Sequence, residues 1–279
     1  MSKIERALNR ARSERGNFPV PAPTEIGRST KGTALVPEHS EEASVQAITS
    51  MNASESEFFT AGDLAQRGII HPERVDDRTV QVFRELRTKI IQQSHGRNGV
   101  ILITSINPGD GSSFIAQNLA AAFAFDAGKT ALLVDCNIRN PSIAEQMADA
   151  SAPGLTDYLF DPDLGVEQII QPVGIARLRA IAAGGRRATG AEYFTSQKMR
   201  QLIESLRVRY KERFIVLDGP PMSDVANIRI LSELCDYVMV VARHGRATVS
   251  QIENGLSVIN DKKLLGVIFN DEPRIPWGK

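Results

Sequence analysis

No run of the 279 residues is apolar for long enough to cross a bilayer. The most apolar stretch, 119–125, stops at Asp126, and residues 1–16 lack the apolar centre of a secretory leader, so the expectation is a cytoplasmic protein. Net charge is missing too: 33 Lys and Arg balance 33 Asp and Glu, which argues against nucleic acid as the main partner. Cysteine is scarce. Cys136 and Cys235 cannot form a metal cluster alone, sit at or beside predicted strands, and read as buried thiols in a reducing compartment. What is abundant is ordinary core material: 42% apolar residues suit one large α/β domain plus an extension.

The chain is organised around residues 99–120, GVILITSINPGDGSSFIAQNLA. Residues 100–103 form the continuous apolar run of a strand buried on both faces, Asn107-Pro108-Gly109-Asp110-Gly111 is a tight turn, and residues 112–122 are apolar at helical spacing. Strand, glycine turn and helix N-terminus leave a concave set of backbone N–H groups suited to a polyphosphate. The usual loop is G-x-x-x-x-G-K-[ST], in which the lysine reaches the outer phosphates and the hydroxyl holds magnesium. Here Gly111, Ser112 and Ser113 occupy the last three places and Ser105 the first, so the hydroxyl is kept and the ammonium is not. One missing charge-assisted contact is worth roughly 1.5–3 kcal/mol, a loss of about ten- to a hundred-fold in binding. Chemistry loses more, because that charge also stabilises the transferring phosphoryl group.

Two further strands deliver carboxylates. Residues 130–136 end in Asp135, whose position at a strand's C-terminal end suits magnesium binding or orientation of a nucleophile; alone it reads as a helix cap, in company with the other loops as functional. Residues 214–217 are followed by Asp218-Gly219-Pro220-Pro221, a Walker B arrangement whose carboxylate holds magnesium through its water shell. Gly128-Lys129-Thr130 spells G-K-T but follows a helix and precedes a strand, so it reads as a turn.

Elsewhere, residues 1–15 make an amphipathic helix, 16–75 a disordered linker with a brief helical turn at 58–64, 76–271 the ordered domain, and 272–279 a polar tail. Asp76 is expected to cap a helix through Val80, Phe83, Leu86 and Ile90, on which Arg84 and Arg87 share a face as solvated surface or as an oligomer contact. Short helices at 154–160 and 166–170, a strand at 178–183, a helix at 196–210 capped by Ser196, a helix at 228–234, a strand at 237–241, a helix at 249–259 and a strand at 264–269 complete a βα alternation. That pattern specifies a doubly wound, mostly parallel sheet covered by helices on both faces.

Taken together, ITSINPGDGSSFIAQNLA, LLVDCNIRNPS and FIVLDGPPMSDVANI resemble the Walker A, A′ and B segments of the bacterial tyrosine kinases of exopolysaccharide synthesis, within the deviant P-loop ATPases typified by MinD and ParA. Phe83-Arg84-Glu85-Leu86-Arg87-Thr88 is similar to that family's intersubunit arginine helix, and MSKIERAL to the opening of its cytoplasmic members. The resemblance implies ATP or ADP with Mg2+ as cofactors, Ser113 and Asp218 on the metal, Asp135 at the γ-phosphate, Gly109, Asp110, Gly111 and Ser112 around the phosphates, and Asn270 near the base. It implies a partner as well, the cytoplasmic tail of a membrane chain-length or co-polymerase protein, which would place the chain at the inner membrane. The departures are Ser112 for lysine, Asn137 for the second Walker A′ acid, Gln81 for the glutamate opening the arginine motif, and a tail without the family's tyrosine cluster. They favour a non-catalytic or weakly active regulator. The alternatives are an active autokinase in which another cation, such as Arg139, replaces the lysine, and a MinD- or ParA-like positioning ATPase.

Overall fold

The computed structural model describes residues 59–71, 73–74, 77–147, 149–185, 190–209 and 212–273, with no side-chain description for 190–192. The amphipathic helix expected at 1–15, the cap at Asp76 and most of the tail lie outside the described residues. Seven strands, β1 (Val100–Ser105), β2 (Thr130–Asp135), β3 (Gln171–Pro172), β4 (Leu178–Ile181), β5 (Arg213–Asp218), β6 (Tyr237–Arg243) and β7 (Leu264–Asn270), form one sheet in the order β3-β4-β2-β5-β1-β6-β7. Every neighbouring pair is parallel except β3 with β4.

The helices are α1 (Ala61–Gln66), α2 (Arg78–Gln93), α3 (Ser112–Ala124), α4 (Leu155–Phe160), α5 (Val166–Ile169), α6 (Gly190–Thr195), α7 (Gln197–Arg209), α8 (Val225–Leu234) and α9 (Val249–Leu256). Two apolar layers result. On one side of the sheet α1, α2 and α3 supply Leu64, Phe83 and Phe123; on the other α7, α8 and α9 supply Leu202, Leu231 and Ile252. β1, β2 and β5 are buried at every position, as continuous apolar runs covered on both faces must be. The alanines of α3 let its backbone lie close to the sheet, and Phe123 stacks on Phe214 with ring centroids 3.9 Å apart.

Several boundaries depart from expectation. Asp77, not Asp76, accepts the Thr79 N–H and caps α2. β3, α6 and a single 3-10 turn at Ala144–Gln146 carried too few residues to show a period. The expected strand at 178–183 ends at Ile181, and the helix expected to reach 259 ends at Leu256.

Ordered packing also begins well before residue 76. Thr60 and Asp63 form a capping box, and Leu64, Ile69 and Ile70 join the core. Asn118 on α3 holds this strap: its Oδ1 accepts the Ile70 N–H at 2.7 Å and its Nδ2 donates to Gly68 O at 3.0 Å. At the strap's start the Phe59 N–H donates to Gly174 O, and the Phe59 ring lies so close that a Cβ on Gly174 would collide with it. Composition misread residues 59–71 because few apolar residues, three of them buried, are enough when the partner surface already exists.

Candidate functional site

The C-terminal tips of β1, β2, β5 and β6 meet at one edge, and backbone hydrogen bonds stitch their loops together. Gly219 N–H donates to Ile103 O, Met222 N–H to Ser105 O, Cys136 N–H to Asp218 O, and Ile106 N–H to Val241 O. Thr104 Oγ1 donates to Pro220 O at 2.6 Å, tying the strand before the glycine turn to the loop after β5. Gly219 must be glycine for space: a Cβ there would meet Leu102 Cδ1 at 2.7 Å.

Between β1 and α3 the turn reverses through two left-handed residues, Gly109 (φ 80°) and Gly111 (φ 95°), the second at the N-cap of α3. No side chain caps α3, so its first N–H groups face the open edge. Asp110 is turned inward: its Oδ2 accepts the Asn107 N–H at 2.9 Å, so its carboxylate braces the turn. Asn270, at the end of β7, donates from Nδ2 to Asp110 O at 2.9 Å. The residue therefore sits against the turn itself, and a Cβ on Gly111 would collide with it.

Asp135 and Asp218 are register partners on β2 and β5. Both are fully buried, and burial is the main cause that lifts the Asp135 carboxyl to about 6 and the Asp218 carboxyl to about 8. The negative charge of Asp135 adds to the rise at Asp218, while the neighbouring Ser113 hydroxyl opposes it. Their surroundings differ. Asp135 accepts three backbone N–H groups, from Asn137 at 3.0 Å, Ser142 at 3.0 Å and Ile143 at 3.1 Å, and so shapes the loop after β2. Neither oxygen of Asp218 has a hydrogen-bond partner of ordinary geometry. A bare buried carboxylate next to a hydroxyl at a helix N-terminus is the donor set a divalent cation takes when phosphate and water complete its shell. No group of three or more His, Cys, Asp or Glu able to hold a metal by itself exists among the described residues.

Thus Gly109, Gly111, Ser112, Ser113, Asp135, Asp218 and Asn270 are gathered at one sheet edge. Arg84 and Arg87 are not part of it. Arg87 donates to Ala122 O at 3.0 Å and lies 3.8 Å from Asp126, tying α2 to the end of α3. Arg139, named above as a substitute cation, faces Asp224 at 3.6 Å with a side chain 77% exposed. Sequence reading passed over Arg246, in the turn between β6 and α9. A Cβ on Gly109 would lie 3.5 Å from its Nη1. The available signal was an arginine directly after Gly245, in a loop that a parallel sheet must bring beside the glycine turn.

A parallel sheet with this strand order, a glycine turn at the tip of β1 and carboxylates at the tips of β2 and β5 is the fold of the MinD and ParA class of P-loop proteins. The cell-division ATPase MinD of Pyrococcus furiosus shares the fold, with TM-score 0.51 and 19% identity over 63% of this chain and 73% of that one. No family model matches the sequence. Among individual proteins, the chain is 31% identical over 199 residues to the putative tyrosine-protein kinase EpsB of Ralstonia nicotianae, covering 70% of this chain and 26% of that one. It is 29% identical over 212 residues to tyrosine-protein kinase YwqD of Bacillus subtilis, covering 75% of this chain and 88% of YwqD. The BceF tyrosine kinase domain superposes with TM-score 0.63 and 28% identity over 86% of this chain and 92% of the domain. The chain belongs to the bacterial tyrosine kinase family that includes Wzc, CpsD and EpsB, within the MinD/ParA-like P-loop ATPases. It spans 26% of the length of EpsB.

Proposed function

We propose that this chain is a regulator of exopolysaccharide synthesis and export built on a tyrosine-kinase fold, non-catalytic or weakly active, which binds Mg2+ and ATP or ADP less tightly than a lysine-bearing loop would. The carrying observation is Ser112 at the lysine position, beside the buried carboxylates of Asp110, Asp135 and Asp218. Three buried acids raise the cost of admitting a polyphosphate, and nothing at position 112 offsets it. Backbone N–H groups at the start of α3 bind the phosphates, Ser113 and Asp218 hold the cation, and Asp135 fixes the loop that faces the outer phosphate. The cation supplies charge neutralisation and template geometry when bound. The remaining binding is enough for a switch and too weak for rapid phosphoryl transfer.

Its partner, on this reading, is the cytoplasmic tail of a membrane-embedded co-polymerase, with self-association through the face of α2 that carries Arg84 and Arg87. What supports a membrane partner is the family; no helix among the described residues is long and apolar enough to cross a membrane. The relatives are kinases by name, which favours the autokinase as second reading, whereas serine at the lysine position of the loop, Ser112, disfavours it.

Calorimetric titration of Mg·ADP and Mg·ATP into the wild type and Ser112→Lys tests the proposal, with phosphotyrosine formation measured in parallel. Detectable wild-type binding that tightens about ten- to a hundred-fold with lysine, without wild-type phosphotyrosine, supports it. Wild-type phosphotyrosine formation at the rate of a lysine-bearing kinase would favour the second reading and overturn the first.

A further inference from the structure

Three features outside the described chemistry bear on further function. A cavity of about 750 Å³ lies between α4 and the loop after β4, lined by Pro153, Asp157, Phe160 and Gly184 among others. Edge strand β7 exposes Phe269. The third is Arg246, and it is the one whose neighbours identify a ligand.

Arg246 follows Gly245 (φ 73°) in the turn that leads to Thr248, the N-cap of α9. Its backbone N–H closes the turn by donating to Arg243 O at 3.1 Å. The two arginines of this turn then diverge. The Arg243 guanidinium donates from Nε and Nη2 to Asp271 Oδ2. That of Arg246 makes no hydrogen bond or ion pair among the described residues, although it is a five-donor group at the rim of a site holding three buried carboxylates. It lies over Gly109, the first left-handed residue of the phosphate-facing turn. A second observation lies at the same sheet edge: neither oxygen of the fully buried Asp218 has a hydrogen-bond partner of ordinary geometry, and the Ser113 hydroxyl at the start of α3 is its neighbour.

We propose that Arg246 is the phosphate-facing cation of this site, reaching from the β6–α9 turn across Gly109 to the outer phosphates of a nucleoside di- or triphosphate in place of the ammonium absent at position 112. The inference rests on the nucleotide-binding reading above and assigns that site a positioning residue. From its place beside Gly109, the planar fork of Arg246 would clamp a terminal phosphate while the backbone N–H groups at the start of α3 hold the inner one.

The test is calorimetry on the full chain with Mg·ADP, Mg·ATP and AMP as probes, for wild type, Arg246→Ala, Arg246→Lys, Arg139→Ala and Arg246→Ala with Ser112→Lys. Loss of one charge-assisted contact predicts about ten- to a hundred-fold weaker Mg·ADP and Mg·ATP binding in Arg246→Ala, with AMP changed far less. Arg246→Lys retains part of the affinity, Arg139→Ala retains all of it, and the added lysine restores the double variant. Because Arg246 is exposed, Arg246→Ala melts with the wild type. Wild-type binding of Mg·ADP with equal binding by Arg246→Ala overturns the inference and leaves the nucleotide reading standing, as does an equal loss of AMP. No Mg·ADP or Mg·ATP binding by the wild type removes the nucleotide reading and this inference with it.

Discussion

Replacing Asp218 by asparagine is expected to stabilise the metal-free protein at neutral and alkaline pH. Burial holds the Asp218 carboxyl near 8 against an ordinary value of 3.8. Below 3.8 the group is protonated in both folded and unfolded chains and has no effect on stability. Between 3.8 and about 8 the folded chain keeps the proton that the unfolded chain has released, so stability falls as pH rises, and above about 8 the full cost is in place. At about 1.4 kcal/mol per pH unit the ceiling is about 5–6 kcal/mol, reduced in practice because Asp135 and residual unfolded-state structure share the effect. Asp135 adds a cost of the same sign between 3.8 and about 6. An amide of the same shape never ionises. Thermal unfolding of both proteins in EDTA, from pH 5 to pH 8.5, should show Asp218→Asn melting higher by about 5–15 °C at the alkaline end. The difference should narrow steadily toward pH 5. Parallel melting curves across that range, or a less stable variant at pH 8, would refute the account of a bare buried carboxylate.

Three other perturbations probe the framework around it. Gly111→Ala adds a Cβ where φ is 95° and Asn270 blocks the space, so it should destabilise by about 2–4 kcal/mol in urea titration and loosen the turn. Asn118→Ala removes the hydrogen bonds to Gly68 and Ile70, with an expected loss of about 1–3 kcal/mol and faster proteolysis of residues 59–71. Phe123→Ala, which empties one half of the Phe123–Phe214 stack, should cost about 3–5 kcal/mol by denaturant melting while leaving the phosphate-facing turn in place.

The sheet was legible because its central strands are short apolar runs closed by polar loops, a pattern that only burial on both faces produces. The tips of β1, β2 and β5 were legible for the same reason: each run ends in a residue that could not belong to it, Ser105, Asp135 or Asp218. What sequence could not give was the division of labour inside the cluster. Asp110 and Asp135 look alike as loop carboxylates, yet the first braces its own turn and the second collects three N–H groups, leaving Asp218 bare. Those roles depend on side-chain direction at tips brought together by long crossovers. Residues 59–71 were illegible for a different reason, since their order comes from α3 and from Gly174, more than a hundred residues further along.

The state of Asp218 also weighs on whether this kinase fold serves only as a scaffold. A scaffold needs the sheet, the helices and a docking face, and none of these requires an acid at the tip of β5. Asparagine or leucine there would hold the strand equally well and remove the ionisation cost. The acid present instead is buried beside a second carboxylate and a serine hydroxyl, without a hydrogen bond of its own, at the mouth of a helix N-terminus. A divalent cation and the phosphates it carries reverse each unfavourable feature at once: they neutralise the carboxylate pair, satisfy the bare oxygens and meet the uncapped N–H groups of α3. The bare, buried carboxylate of Asp218 therefore favours the nucleotide-responsive protein proposed above over a pure scaffold.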